Sequence, residues 1–510
     1  RQEGLLLTPR QLFQEQTIAR LALVARQDQQ LPQPPTDISG VVPLTPIQHW
    51  FFAQRLTQAA HWNQAAWFET DAQLNLALLQ QAAGALVAQH AMLRARFQPV
   101  DGGWRQEVVE EASPAAIERI DLAGLDSATQ DDALLATANR LHAALDLSQP
   151  PLLHGAWFDL GVNRPPRLLL TIHHLVVDAV SWGILFSDLV TAYNQLIRGD
   201  QILLPAAPTS YLQWAETQAR WAKSEKMQRA AQYWRETGQL ATHLPQDGPG
   251  SGSNNEGEAK LVTVTLDSTR TDQLLREAHL AYHTRIDDLL LAALVQAASD
   301  WSGQQSLLLT LERHGREDID PQLDLSQTVG WFTSLFPLTL VLPDEGDAGA
   351  RVRAVKEQLR AVPNNGVSYG ILRYLAERPI RQMLAEKPQP QILFNYLGVQ
   401  RTSANEDEPI RPLAANTGQL YGPQNRRAHL IDVNARVEKG LLKARWQYAP
   451  AYFQKATIAQ VAEAFIQELG RLIDHCLAVE QARHTPSDFP LANLQQDDLD
   501  SLSDLLSELE

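Results

Sequence analysis

A single cysteine, Cys476, among 510 residues leaves no disulfide framework and no thiolate metal site. It lies in a stretch with amphipathic spacing (AFIQELGRLIDHCLAV), where a small buried hydrophobe is the ordinary role. No apolar run approaches the roughly 20 residues that cross a bilayer. The first residues also lack the basic segment and apolar core of a secretory leader, so the chain reads as cytoplasmic, with no membrane partner. Basic blocks are missing too: 43 Lys and Arg face 59 Asp and Glu, a formal net charge of −16, which gives no electrostatic footprint for nucleic acid.

What the chain does have is apolar residues, 44% by count, enough for more than one core, because single cores rarely grow beyond about 250–300 residues. Residues 1–30 open with an amphipathic helix over 1–26, and the prolines of LPQPPTD cut it off in a stiff linker, 31–40. From 41 to 243, long helical patterns alternate with short apolar strands such as RLLLTI, which reads as a layered α/β (α+β) lobe. Residues 244–260 (LPQDGPGSGSNNEGEAK) have the Gly, Ser and Asn of a flexible connection. A second lobe with mixed strands and helices follows over 261–485, and 486–510 is an acidic tail.

One segment stands out for its chemistry. LLLTIHHLVVDAVSWGIL (168–185) runs from a strand apolar on both faces into a helix expected from about Val180 to Ile197, ending at Arg198-Gly199. Adjacent strand residues point to opposite faces, so only one of His173 and His174 can enter a given cavity. We assign that place to His174 and a supporting place to His173. A pair of satisfied core histidines is the commoner arrangement for such a dipeptide taken alone. No further His, Cys, Asp or Glu completes a metal set, so none is expected. Asp178, behind three apolar residues, should be buried and need a cationic partner. Arg94, at the end of QHAMLRARF, is the expected one.

At this point the residues resemble a known family, the condensation-like domains of non-ribosomal peptide synthetases, which carry HHxxxD at a strand-to-helix junction. LTPIQHWFF (44–52), HHLVVDAVSW (173–182), IDDLLLAAL (286–294), ERHGRE (312–317), QTVGWFTSLFP (327–337), VPNNGVSYG (362–370) and FNYLG (394–398) resemble the epimerization subset, in the same order. The resemblance covers about 41–480. It implies two lobes similar to chloramphenicol acetyltransferase, set in a V around a central tunnel. The opening LTPRQLFQEQTIARLA resembles the last helix of a peptidyl carrier domain, which implies a monomeric fragment of a larger synthetase served in cis by an upstream carrier. No cofactor would be bound directly, and the carrier would supply 4'-phosphopantetheine. The acidic tail could meet a downstream condensation domain or another protein of the synthetase.

The chemistry implied is inversion at the Cα of a carrier-bound aminoacyl or peptidyl thioester, which needs a base, a donor on the opposite face and stabilisation of the enolate oxygen. Glu312 ends the apolar run SLLLTLE just before a turn, so its carboxylate can enter a cleft where partial desolvation strengthens it as a base. His174 would arrive from the other lobe. Through FNYLG, Tyr396 is a candidate proton relay and Asn395 a positioning group. Ser181, Trp182, Trp331, Phe332 and Ser334 are expected to line the tunnel, although large aromatics are ordinarily core. Two departures stand out: Ala179 replaces the glycine that usually follows the aspartate, and Arg313 replaces the first glycine of EGHGRE. A cation at 313 is expected beside Glu312, lowering that carboxylate's pKa or narrowing the tunnel. The alternatives are a condensation domain that uses His174 without Glu312 to join two carrier-bound substrates, and a docking module that keeps the fold without chemistry.

Overall fold

The run RLLLTI becomes the strand Arg167–His173, central in a five-stranded sheet whose order is Ile410–Leu413, Asn63–Thr70, Arg167–His173, Leu153–Asp159 and Ala116–Asp121. The computed structural model describes residues 38–501 except 239–242, 249–251, 318, 344–345, 401–407, 490, 493, 497 and 500, together with 5–6 and 26–27. Most of the helix expected over 1–26, and with it the carrier-domain assignment of 1–30, lies outside the described residues. Leu5–Leu6 and Arg26–Gln27 pair antiparallel.

Strand alternation explains why the central run has no polar face. Leu168, Leu170 and Ile172 join a core with the helices Leu76–Gln89 and Ala179–Ile197. Leu169 turns the other way, to Trp67, Phe158 and the helix Ser127–Ala143. Ala179–Ile197 begins at Asp178, whose carboxylate caps the Ser181 N–H at 2.8 Å, and it ends before Gly199, whose φ of +75° no β-branched residue would tolerate.

A second sheet has six strands in the order Lys260–Leu266, Leu441–Tyr448, Ile431–Glu438, Ile392–Val399, Ser306–Arg313 and Ser334–Val341. The helices Ile286–Ser302 and Lys455–Leu477 cover one face, where Trp446 meets Phe465 edge to face with ring centroids 6.0 Å apart. Register carries that orientation across the sheet: Trp446 lies opposite Val433, Val433 opposite Phe394, and Phe394 opposite Leu311. Leu311 therefore faces the helices, and its neighbours Thr310 and Glu312 face the first lobe.

A strand crosses the division into a first lobe at 41–243 and a second at 261–485. Ile410–Leu413 leaves the second half of the chain and pairs antiparallel with Asn63–Thr70, at the edge of the first sheet. The expected flexible connection is also partly pinned. Asn254 donates to the carbonyls of Arg427 and His429, and Glu256 and Gly257 donate to those of Asn425 and Pro423. At the start of the acidic tail, Asp488 accepts twice from the buried Lys356 ammonium, at 2.7 and 2.8 Å.

Candidate active site

The two adjacent histidines have opposite tautomers, each set by its neighbours. His173 is fully buried, with Nε2 2.9 Å from the Ala59 carbonyl and Nδ1 taking the Leu175 N–H at 3.1 Å. A carbonyl can only accept, so Nε2 carries the proton. Desolvation pushes the ring's pKa down to about 3, which keeps it neutral. His174 sits on the following 3-10 turn with Nδ1 2.8 Å from the Val177 carbonyl, so here Nδ1 carries the proton and Nε2 offers a lone pair. Burial lowers its pKa as well. Its ring lies 4.5 Å from that of Trp331, contributed by the second lobe.

Asp178 is buried and ion-paired as expected, but its partner is Arg316 and not Arg94. The Arg316 guanidinium reaches its carboxylate at 3.1 Å, with both side chains under 10% exposed. Arg316 also donates to Ser181 Oγ and to the carbonyls of Leu325 and Thr328, and it stacks 3.9 Å above the Phe332 ring. Arg94 instead ends a 3-10 turn behind the helix Leu76–Gln89, and its guanidinium is turned to the carbonyls of Val87, Ala88 and Val109. The turn preceding Arg316 depends on Gly315, where a Cβ would overlap the Phe332 carbonyl. Ser181, expected in the tunnel wall, is fully buried and fastens the lobes through both the carbonyl and the N–H of Gly330.

Glu312 and Asn395 are directly paired in register across parallel strands, so they share the face turned to the first lobe. Among the described residues Glu312 has no hydrogen-bond or ion-pair partner, and burial, with the nearby Asp432 charge, pushes its pKa up to about 7. Arg313 does not lower it: one residue on, it points to the helix face and pairs with Asp287 at 2.7 Å. Tyr396 follows Asn395 and takes the same helix face. Burial raises its phenol to about 12 with a further contribution from Asp287, and its hydroxyl has no partner among the described residues. The geometry that groups Glu312 with Asn395 separates Tyr396 from both.

A cavity of about 500 Å³ lies beside the site, with neither His174 nor Glu312 in its wall. Its wall includes Trp331, which touches His174, and Leu335, which stands across the strand pair from Glu312. Phe332 and Ser334 line it, whereas Trp182 is outside its wall and donates its indole N–H to Gln64 at 2.9 Å. Trp331 Nε1 and Gln218 Oε1, on two lining residues at 3% and 5% exposure, are a buried donor and a buried acceptor with no protein partner among the described residues.

Two contributors were missed in the sequence. Tyr421 packs tilted against Trp62 with centroids 4.6 Å apart, and the Trp62 carbonyl takes the His174 N–H at 2.9 Å. The Tyr421 phenol is raised by burial and by the charges of Glu256, Glu312 and Asp432. Gln64 is the second. Neither lies in a patterned motif, so sequence spacing offers no signal for them.

Residues 38–494 match the condensation domain family, and the chain belongs to it. It is 39% identical to a linear gramicidin synthase protein of Brevibacillus parabrevis over 98% of this chain and 10% of that protein, and 39% identical to chondramide synthase of Chondromyces crocatus over 99% and 13%. The chain thus spans about a tenth of the length of these curated relatives and is a condensation-like domain of the non-ribosomal peptide synthetase kind. Among solved structures it is similar to the epimerization domain from the third module of tyrocidine synthetase B, with a TM-score of 0.82 and 33% identity, covering 89% of this chain and all of that one. SgcC5 from Streptomyces globisporus, at 16% identity and a TM-score of 0.67, shares the two-lobed fold.

Proposed function

We propose that the domain inverts the Cα of an aminoacyl or peptidyl thioester held on the 4'-phosphopantetheine arm of a carrier domain. The observation that carries this reading is Glu312, a largely desolvated carboxyl near pKa 7 on the cleft face, without a side-chain partner among the described residues. A condensation reaction has no use for such a group. At neutral pH Glu312 is present in both protonation states, which suits an acid and base that exchange roles.

In the L-to-D direction the Cα–H bond breaks and its proton passes to one of the two groups, leaving an enolate on the thioester oxygen. The other group gives its proton to the opposite face of Cα, forming the new Cα–H bond. With His174 as acceptor at Nε2, once the Gln64 amide N–H has left that lone pair, and Glu312 as donor, the products are an imidazolium and a carboxylate, which solvent protons reset. In the reverse direction the roles exchange. The buried donor of Trp331 and acceptor of Gln218 match the two halves of an amide, such as those of the arm or of a peptidyl chain. An upstream carrier in cis and a downstream contact through the tail belong to this same reading.

The test is solvent deuterium. An L-aminoacyl carrier incubated with the domain in D2O should exchange its α-hydrogen and yield D-product without any acceptor. No exchange, with amide forming once a second loaded carrier is added, would establish condensation instead.

A further inference from the structure

Gln64, on the strand Asn63–Thr70, holds its amide between two rings. Its Oε1 lies 2.9 Å from Trp182 Nε1, and its Nε2 lies 2.8 Å from His174 Nε2. The roles of all four atoms are forced. An indole N–H only donates, so the amide atom facing Trp182 must be the oxygen. The NH2 group therefore faces His174 and only donates, so His174 Nε2 must accept. The other end of the imidazole gives the same answer independently, because the Val177 carbonyl beside Nδ1 only accepts.

We propose that Gln64 is a positioning residue that, braced by Trp182 and acting with the Val177 carbonyl, holds His174 as its Nδ1–H tautomer and disfavours a proton on Nε2, whose lone pair it occupies until substrate displaces it. Once Nε2 is protonated, two N–H donors face each other. Turning the Gln64 amide over would relieve that clash only by setting its NH2 against the Trp182 N–H. Either arrangement disfavours the imidazolium and returns the proton, which is what a reversible acid and base requires. Among the described residues, the other titratable groups acting on His174 are His173, itself neutral, and Asp178, which is paired with Arg316 and whose charge favours the imidazolium. Gln64 is thus the adjustable contact at Nε2. This rests on the reading of His174 as an acid and base, but its test does not.

The measurement is an NMR titration of the His174 ring in the full chain. In Gln64→Glu the carboxylate accepts from both Trp182 and Nε2–H, so the midpoint should rise by at least ~1 pH unit. In Gln64→Met, which keeps the length but has no donor, the midpoint should rise less, with the Nδ1–H still held by the Val177 carbonyl. If Gln64→Glu does not fold, Gln64→Met alone decides. An unchanged midpoint in a folded variant overturns the lock. If the NMR shifts occur but the wild-type domain exchanges no α-deuterium, the lock stands and the epimerization reading fails. If both hold, the acid limb of the exchange rate should move to higher pH in Gln64→Glu.

Discussion

The Asp178 carboxylate and the Arg316 guanidinium meet at 3.1 Å across the lobe boundary, 138 residues apart in the chain. The same carboxylate caps the helix that follows His174 and takes the Phe332 N–H at 3.2 Å. One ion pair therefore fixes the histidine turn relative to the cavity wall.

Removing one member strands the other in a buried site. Arg316→Met should lower unfolding stability by about 3–5 kcal/mol in chemical denaturation. Arg94→Met should leave the position of His174 unaltered, read from that ring's titration, because Arg94 holds backbone carbonyls instead.

Glu312→Gln and His174→Ala should each slow α-deuterium exchange by about 100- to 10,000-fold, with circular dichroism unchanged. An exchange rate within a factor of three of wild type in both would point to a docking module.

Burial also gives Glu312 a signature in stability. Its folded pKa, near 7, lies above the reference value of 4.5, so the unfolded chain gives up this proton at lower pH than the folded one. Its contribution is whole below about 4.5 and is lost as pH rises through 7. Glu312→Gln, which cannot ionise, should be more stable than wild type by about 1–3 kcal/mol at pH 8, and this gain should vanish at pH 4. Melting the pair at both pH values checks the sign.

Tyr396→Phe should keep deuterium exchange within a few-fold of wild type, because the ring is on the helix face of the sheet. Losing a buried hydroxyl that has no partner should leave stability unchanged or raise it by up to about 1 kcal/mol. A hundredfold loss of exchange would return the phenol to the chemistry.

Gln218→Leu should act in opposite directions on free and loaded protein. Removal of an unpartnered buried acceptor should raise the melting temperature, while the KM for a pantetheine thioester should rise about 5- to 10-fold as an amide N–H loses its acceptor.

The sequence made some of this legible for physical reasons. A strand apolar on both faces, a helix period beginning at an aspartate and a glycine after the last turn set the place of His174 and the burial of Asp178. The burial of Glu312 was anticipated by the apolar run it ends. The partner of Asp178 was not legible, because an ion pair across lobes leaves no periodic trace, and the nearer basic residue was the natural guess. Arg313 and Tyr396 were misplaced for a shared reason: facing in a parallel sheet depends on register with neighbouring strands, and Glu312 shares its face with Asn395 only because those two are paired. Gln64 precedes His174 by 110 residues and belongs to no motif.

The strand Ile410–Leu413 completes the edge of a sheet whose other members all lie before residue 174, and Arg411 reaches Glu69 across 342 positions. During synthesis, Asn63–Thr70 emerges with one row of peptide groups unpaired, and it stays so while more than three hundred further residues are translated. For that interval the nascent first half carries an open template for the wrong strand. Expression of the first half by itself would make that interval permanent.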